Sequence, residues 1–217
     1  MAAPSHLPLG ALLARAHTLF AVLRDDAETG ALLADFGYDP DAVADALALV
    51  DAVQDAIATQ QREYAEQYAA TRNVARLTEA LRVPYVRHVR LARVVFDRGT
   101  FGHDLLGLAG DRADTPMALV AQARTFYAGV SNPEVAEALM RVRITPDVAV
   151  EQVARMAALE SALAVQQREK GEAQQATRTR DAEEARVRAL VSDASEVAKI
   201  ALADHPQMRE RLGLLER

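Results

Sequence analysis

Gln60-Gln61-Arg62-Glu63 and Gln166-Gln167-Arg168-Glu169 are one four-residue string written twice, 166 − 60 = 106 positions apart. The same offset joins Pro40-Asp41 to Pro146-Asp147, Ala70-Thr71-Arg72 to Ala176-Thr177-Arg178, and Leu106-Gly107-Leu108 to Leu212-Gly213-Leu214. No gap interrupts the match from Pro40 to Leu108. Upstream it slips by one residue, so that Ala14, Ala16, Thr18 and Ala21 match Ala121, Ala123, Thr125 and Ala128. Similarity at a fixed offset bears on the whole fold, because each copy is then one supersecondary unit. The chain reads as a tandem duplication. Residues 1–108 form the first copy, 109–114 a link and 115–217 the second, packed together as one compact bundle.

The copies are helical by composition. Half of the 217 residues are hydrophobic, with alanine prominent, and only 5% are aromatic. Ala, Leu, Arg, Glu and Gln are strong helix formers. Helix starts recur as a cap followed by proline at the first helical position: Asp39-Pro40 and Thr145-Pro146, then Thr115-Pro116 and Asn132-Pro133. His205-Pro206 follows the same pattern with a poorer cap. Gly107 and Gly213, each between leucines, predict left-handed helix endings of the Schellman type. Each copy thus reads as a first helix (Pro8–Arg24; Pro116–Val130), a short one (Ala27–Phe36; Pro133–Val142), a long stretch (Pro40–Phe96; Pro146–Leu202) and a short terminal helix.

The long stretch admits two readings. Asp41, Asp45, Asp51, Asp55, Glu63 and Glu66 fill the first half of Pro40–Phe96, whereas Arg72, Arg76, Arg82, Arg87, Arg90 and Arg93 fill the second. Large apolar residues gather at its two ends. Folding back near Thr71–Asn73, and near Thr177–Thr179 in the second copy, would pair opposite charges and merge the apolar ends. The preferred fold is therefore all-α, with two helical hairpins forming an up-down four-helix bundle flanked by short helices. The alternative is two long unbroken helices in a coiled-coil-like arrangement. Neither turn carries Gly or Pro, and Pro84 could kink the stretch.

At 100° per residue, Val53, Ile57, Gln60, Tyr64, Tyr68 and Thr71 share one helix face. In the second copy the stripe continues as Leu159, Leu163, Gln166, Lys170, Gln174 and Thr177. Gln60, Tyr64, Tyr68, Gln166, Lys170 and Gln174 are the candidate contacts for a ligand or partner, at the distal end of the bundle. Read structurally, the same glutamines fix the register between helices.

Signals for chemistry are sparse. The absence of cysteine excludes disulfides, thiolate metal sites and thiol nucleophiles. A carboxylate-bridged dimetal centre needs Glu-x-x-His pairs. None occurs, and the histidines (His6, His17, His88, His103, His205) are not duplicated. Neither a phosphate-binding Gly-rich loop nor a Gly-x-Ser-x-Gly elbow is found. No metal or cofactor is expected. His88, near the apolar side of its helix, reads as a satisfied boundary histidine. The arginines at 82, 87, 90 and 93 form a basic face, which an acidic helix would balance more simply than nucleic acid would. The formal charge of −6 and pI of about 5.4 also argue against a nucleic-acid partner.

Met1 to Leu9 lacks the pattern of a signal peptide, and no apolar run approaches a membrane span. The chain reads as a soluble, cytoplasmic, bacterial-type helical protein. The expected function is a non-enzymatic scaffold or protein-interaction module, binding itself or another protein. The alternative is a small-ligand-binding bundle, or an enzyme built on one, using the polar site.

Overall fold

The computed structural model describes residues 7–214; Met1 to His6, including His6 and most of the segment read for a signal peptide, lie outside them. The described residues are all-α and contain no strand. The helices are α1 (Leu9–Asp25), α2 (Ala27–Ala34), α3 (Pro40–Val95), α4 (Phe101–Leu105), α5 (Pro116–Val130), α6 (Pro133–Met140), α7 (Pro146–Ala201) and α8 (Pro206–Arg211). Among the described residues, no helix is long and apolar enough to cross a membrane.

Caps and endings form as their chemistry dictates. Asp39 accepts from the Ala42 N–H at 2.8 Å, Thr145 from Val148 at 3.3 Å, Thr115 from Ala118 at 3.4 Å and Asn132 from Glu134 at 2.9 Å. His205 makes no such bond. At the other ends, the Leu108 N–H reaches back to the His103 carbonyl at 3.1 Å, and that of Leu214 to the Arg209 carbonyl at 2.8 Å. Gly107 and Gly213 take φ of 60° and 66°, the left-handed turn that lets the following leucine pack inward.

The hairpins are not formed. α3 and α7 are single helices of 56 residues each, the arrangement given above as the alternative. Helical conformation runs unbroken through Thr71–Asn73 and Thr177–Thr179. The reason is local and tertiary together. Nothing at those positions breaks a helix, and the apolar end of each long helix finds its partner on the other long helix. Charge segregation misled because exposed pairs are weak, about 0.2–1 kcal/mol each, beside buried aliphatic stripes.

Pro84 leaves α3 intact for a specific reason. Proline has no N–H, so the carbonyl four residues back, on Ala80, loses its helical donor. Arg155 of α7 donates to that carbonyl at 2.8 Å.

The chain divides into two compact units. Unit 1 comprises residues 1–64 and 172–217, and unit 2 residues 65–171. Each boundary falls inside a long helix, so each unit takes half of α3 and half of α7. In unit 1, Leu12, Leu19, Phe20, Leu23, Val50 and Val53 pack with Val187, Val191, Ala198 and Leu202. In unit 2, Leu81, Tyr85, Val89, Leu119, Phe126 and Tyr127 pack with Met156 and Leu159. There α3 and α7 run antiparallel: Thr71 meets Gln166, and nine residues on Ala80 meets Arg155, eleven residues back. Buried positions recur at the sequence offset. Leu81 and Val187, Tyr85 and Val191, Ala92 and Ala198, and Leu106 and Leu212 are all buried.

Candidate interaction surface

The sequence-derived site residues lie midway along the long helices. The expected distal end does not exist, because the helices do not turn back. In unit 1, the Gln60 side-chain amide donates to the Thr177 hydroxyl at 3.1 Å, and the Tyr64 hydroxyl approaches the same oxygen at 3.3 Å. Gln174 is exposed. In unit 2, the Gln166 amide donates to the Thr71 hydroxyl at 3.2 Å. Tyr68 and Lys170 are exposed. The two Gln→Thr bonds join residues related by the 106-residue offset in both partners. Both glutamines thus have a structural occupation: they tie a half of α3 to a half of α7 in each unit, fixing the register of the pair.

The arginines of α3 separate into two kinds. Arg82 donates to the Ala113 and Asp114 carbonyls, both at 2.9 Å, and lies 3.6 Å from Glu79. Arg93 donates to the Leu108 carbonyl at 2.6 and 3.0 Å and to that of Gly110 at 2.8 Å. Arg112 joins them, binding the Ala109 carbonyl at 2.7 Å and the Tyr85 hydroxyl at 2.7 Å. Gln122 completes the set by accepting from the Ala113 N–H at 2.9 Å. Three guanidinium groups thereby hold the link 109–114 against α3. An arginine fork satisfies several carbonyls at once, which suits it to a segment with no secondary structure of its own.

Arg87 and Arg90 are different. Both are exposed, and neither has a carboxylate partner among the described residues. They stand at the spacing of one helical turn between two valines that water largely surrounds, Val83 at 65% and Val94 at 83% exposure. With Val86 and Leu91 these residues line a shallow groove of about 620 Å³ along α3. Solvated valines thus stand beside arginines that have no carboxylate partner among the described residues.

Behind this face lies a polar aromatic cluster in unit 2. His88 Nδ1 is 2.9 Å from the Tyr127 hydroxyl. Phe126 meets both Tyr85 and Tyr127 edge to face, and the two tyrosine rings are tilted against each other, with centroids 5.0 to 6.2 Å apart. Burial holds His88 below the ordinary imidazole range, with the nearby Arg87 and Arg155 acting in the same direction and Glu151 against it. Burial likewise pushes the Tyr127 phenol upward, so the pair is neutral at pH 7. His88 is a satisfied boundary residue, as the sequence suggested. Tyr127 was not legible as its partner, because 39 residues separate them.

The formal charge is uneven between the units. Unit 1 holds 11 Lys and Arg against 19 Asp and Glu, a net −8, and unit 2 holds 14 against 12, a net +2.

No protein-family model, curated protein or solved structure matches this chain.

Proposed function

We propose that this protein is a non-enzymatic, cytoplasmic helical interaction module, arisen by tandem duplication, whose docking surface is the Val83–Val94 face of α3. One observation carries the reading. Arg87 and Arg90 stand between exposed valines with no carboxylate partner among the described residues, while Arg82 and Arg93 on the same helix bind backbone carbonyls. A complementary partner presents carboxylates flanking small apolar side chains on one helix face. Such a helix would lay its apolar stripe on Val83, Val86 and Val94 and pair its acids with Arg87 and Arg90.

A labelled amphipathic helical peptide of Glu, Ala and Leu serves as the probe, its binding to the full chain read by fluorescence anisotropy. Binding should weaken in high salt and be lost in R87E/R90E, whose helical circular dichroism should match the parent's. No binding by the parent chain, or equal binding by the variant, overturns the reading. So does preferential capture of labelled duplex DNA through the same two arginines.

A further inference from the structure

We infer that the groove's occupant is a second copy of this chain, presenting the acidic half of its own α3. This rests on the interaction-module reading above and deepens it by naming the partner.

The N-terminal half of α3 has an outward face of unusual simplicity. Val43, Ala46, Val50 and Val53 are buried and define the inward side. At 100° per residue the opposite side is made of Asp41, Ala44, Asp45, Ala48, Asp51, Ala52 and Asp55. All seven are exposed, and none of the four aspartates has a hydrogen bond or ion pair among the described residues. A face of alanine and aspartate is flat, because no side chain on it is longer than an aspartate. Another helix can therefore come close, and valine side chains can rest on the alanine methyls.

Complementarity is specific in kind. The groove offers exposed valines with unpaired arginines; the acidic face offers small apolar groups with unpaired carboxylates. Asp51 and Asp55 are one helical turn apart, like Arg87 and Arg90, so two pairs can form in register. The uneven charge of the units points the same way, since a net −8 body attracts a net +2 body. Among the described residues neither set has a partner of opposite charge; a second copy answers both sets.

Sedimentation velocity on the full chain tests this. At roughly 0.15 M salt the parent should self-associate, and at about 1 M salt, where screening acts within about 3 Å, it should dissociate. R87E/R90E and D51R/D55R should each weaken self-association at least about tenfold. Mixing the two variants should restore association, because the reversed charges face each other again. That rescue cannot come from misfolding of either variant. A monomeric parent at high chain concentration overturns the inference, as does association that neither variant changes or a mixture that stays monomeric. If the parent is monomeric yet the acidic peptide still binds through Arg87 and Arg90, the second-copy inference fails and the interaction-module reading stands. If the peptide does not bind either, both fall.

Discussion

Leu19, Phe20, Val191 and Ala194 in unit 1 stand where Phe126, Tyr127, Tyr85 and His88 stand in unit 2, by the sequence offsets of 107 for α1 and 106 for the long helices. All except His88, which is half-buried, are fully buried. Burial at these positions is shared, but the chemistry is not. Unit 1 fills the positions with aliphatic groups and a phenylalanine, whereas unit 2 fills them with hydroxyls, an imidazole and crossed rings. One packing plan therefore accepts a dry core or a hydrogen-bonded one. A tyrosine requires its histidine opposite, since a buried hydroxyl without a partner is destabilising by about 1–3 kcal/mol.

The largest effect expected from this difference is Tyr127→Ala. It removes three ring contacts and the His88 partner, and should destabilise unit 2 by roughly 3–5 kcal/mol. Hydrogen exchange should show α5 losing more protection than α1; equal loss in both would end the view that each unit has its own core. Next comes the transplant. Phe20→Tyr alone should destabilise by about 1–3 kcal/mol, because it buries a hydroxyl opposite Ala194. Adding Ala194→His should recover part of that loss, read as a coupling energy in a double-mutant cycle of denaturant midpoints. Zero coupling would show that more than the pair differs between the units.

Arg155→Ala acts on a second asymmetry. Positions equivalent to Pro84 and Arg155 hold Leu190 and Leu49, so unit 1 has no need of a carbonyl-capping arginine. The substitution should destabilise unit 2 by about 1–3 kcal/mol through the orphaned Ala80 carbonyl. In a Pro84→Ala background, where residue 84 regains its N–H, the effect should shrink; an undiminished loss would assign it to the Glu151 pair instead.

The pH response should be smaller. Folding lowers the His88 pKa, so the unfolded chain binds more protons than the native one between the two values. Stability from this residue is complete above the unfolded value, about 6.5, and falls as the pH drops below it. His88→Asn should flatten that acid limb in thermal melts of the full chain. The smallest change concerns the turn after α6, where Arg143 takes φ 60°; the position 106 residues earlier, in the turn after α2, is Gly37 at φ 89°. Arg143→Gly should stabilise by about 0.5–1 kcal/mol, since glycine takes the left-handed turn without strain. A destabilisation would mean the arginine side chain matters more than its backbone.

What the sequence discloses follows range. Caps, proline starts and glycine endings are local, so Asp39-Pro40 and Leu106-Gly107-Leu108 announce helix limits by themselves. The inward stripe from Val53 to Gln60 was equally legible, and Gln60 does lie at a helix contact. Choice of partner was not legible. The acid and base halves of α3 suggested a fold-back, yet nothing in α3 by itself can reveal that its apolar ends are met by α7. For the same reason the arginines at 82 and 93 looked identical to those at 87 and 90. Only tertiary structure shows two of them holding the segment 109–114.

The division of the long helices has a bearing on synthesis. Unit 2 is an uninterrupted piece of chain, residues 65–171, whereas unit 1 needs its first 64 residues and its last 46. Chains grow from the N-terminus at about 5–20 residues per second. The middle of this protein can therefore complete its core while the ribosome is still translating. The leucine and valine side chains of α1 and early α3, although made first, wait longest for Val187, Val191 and Leu202, and during that interval they are natural clients for a chaperone.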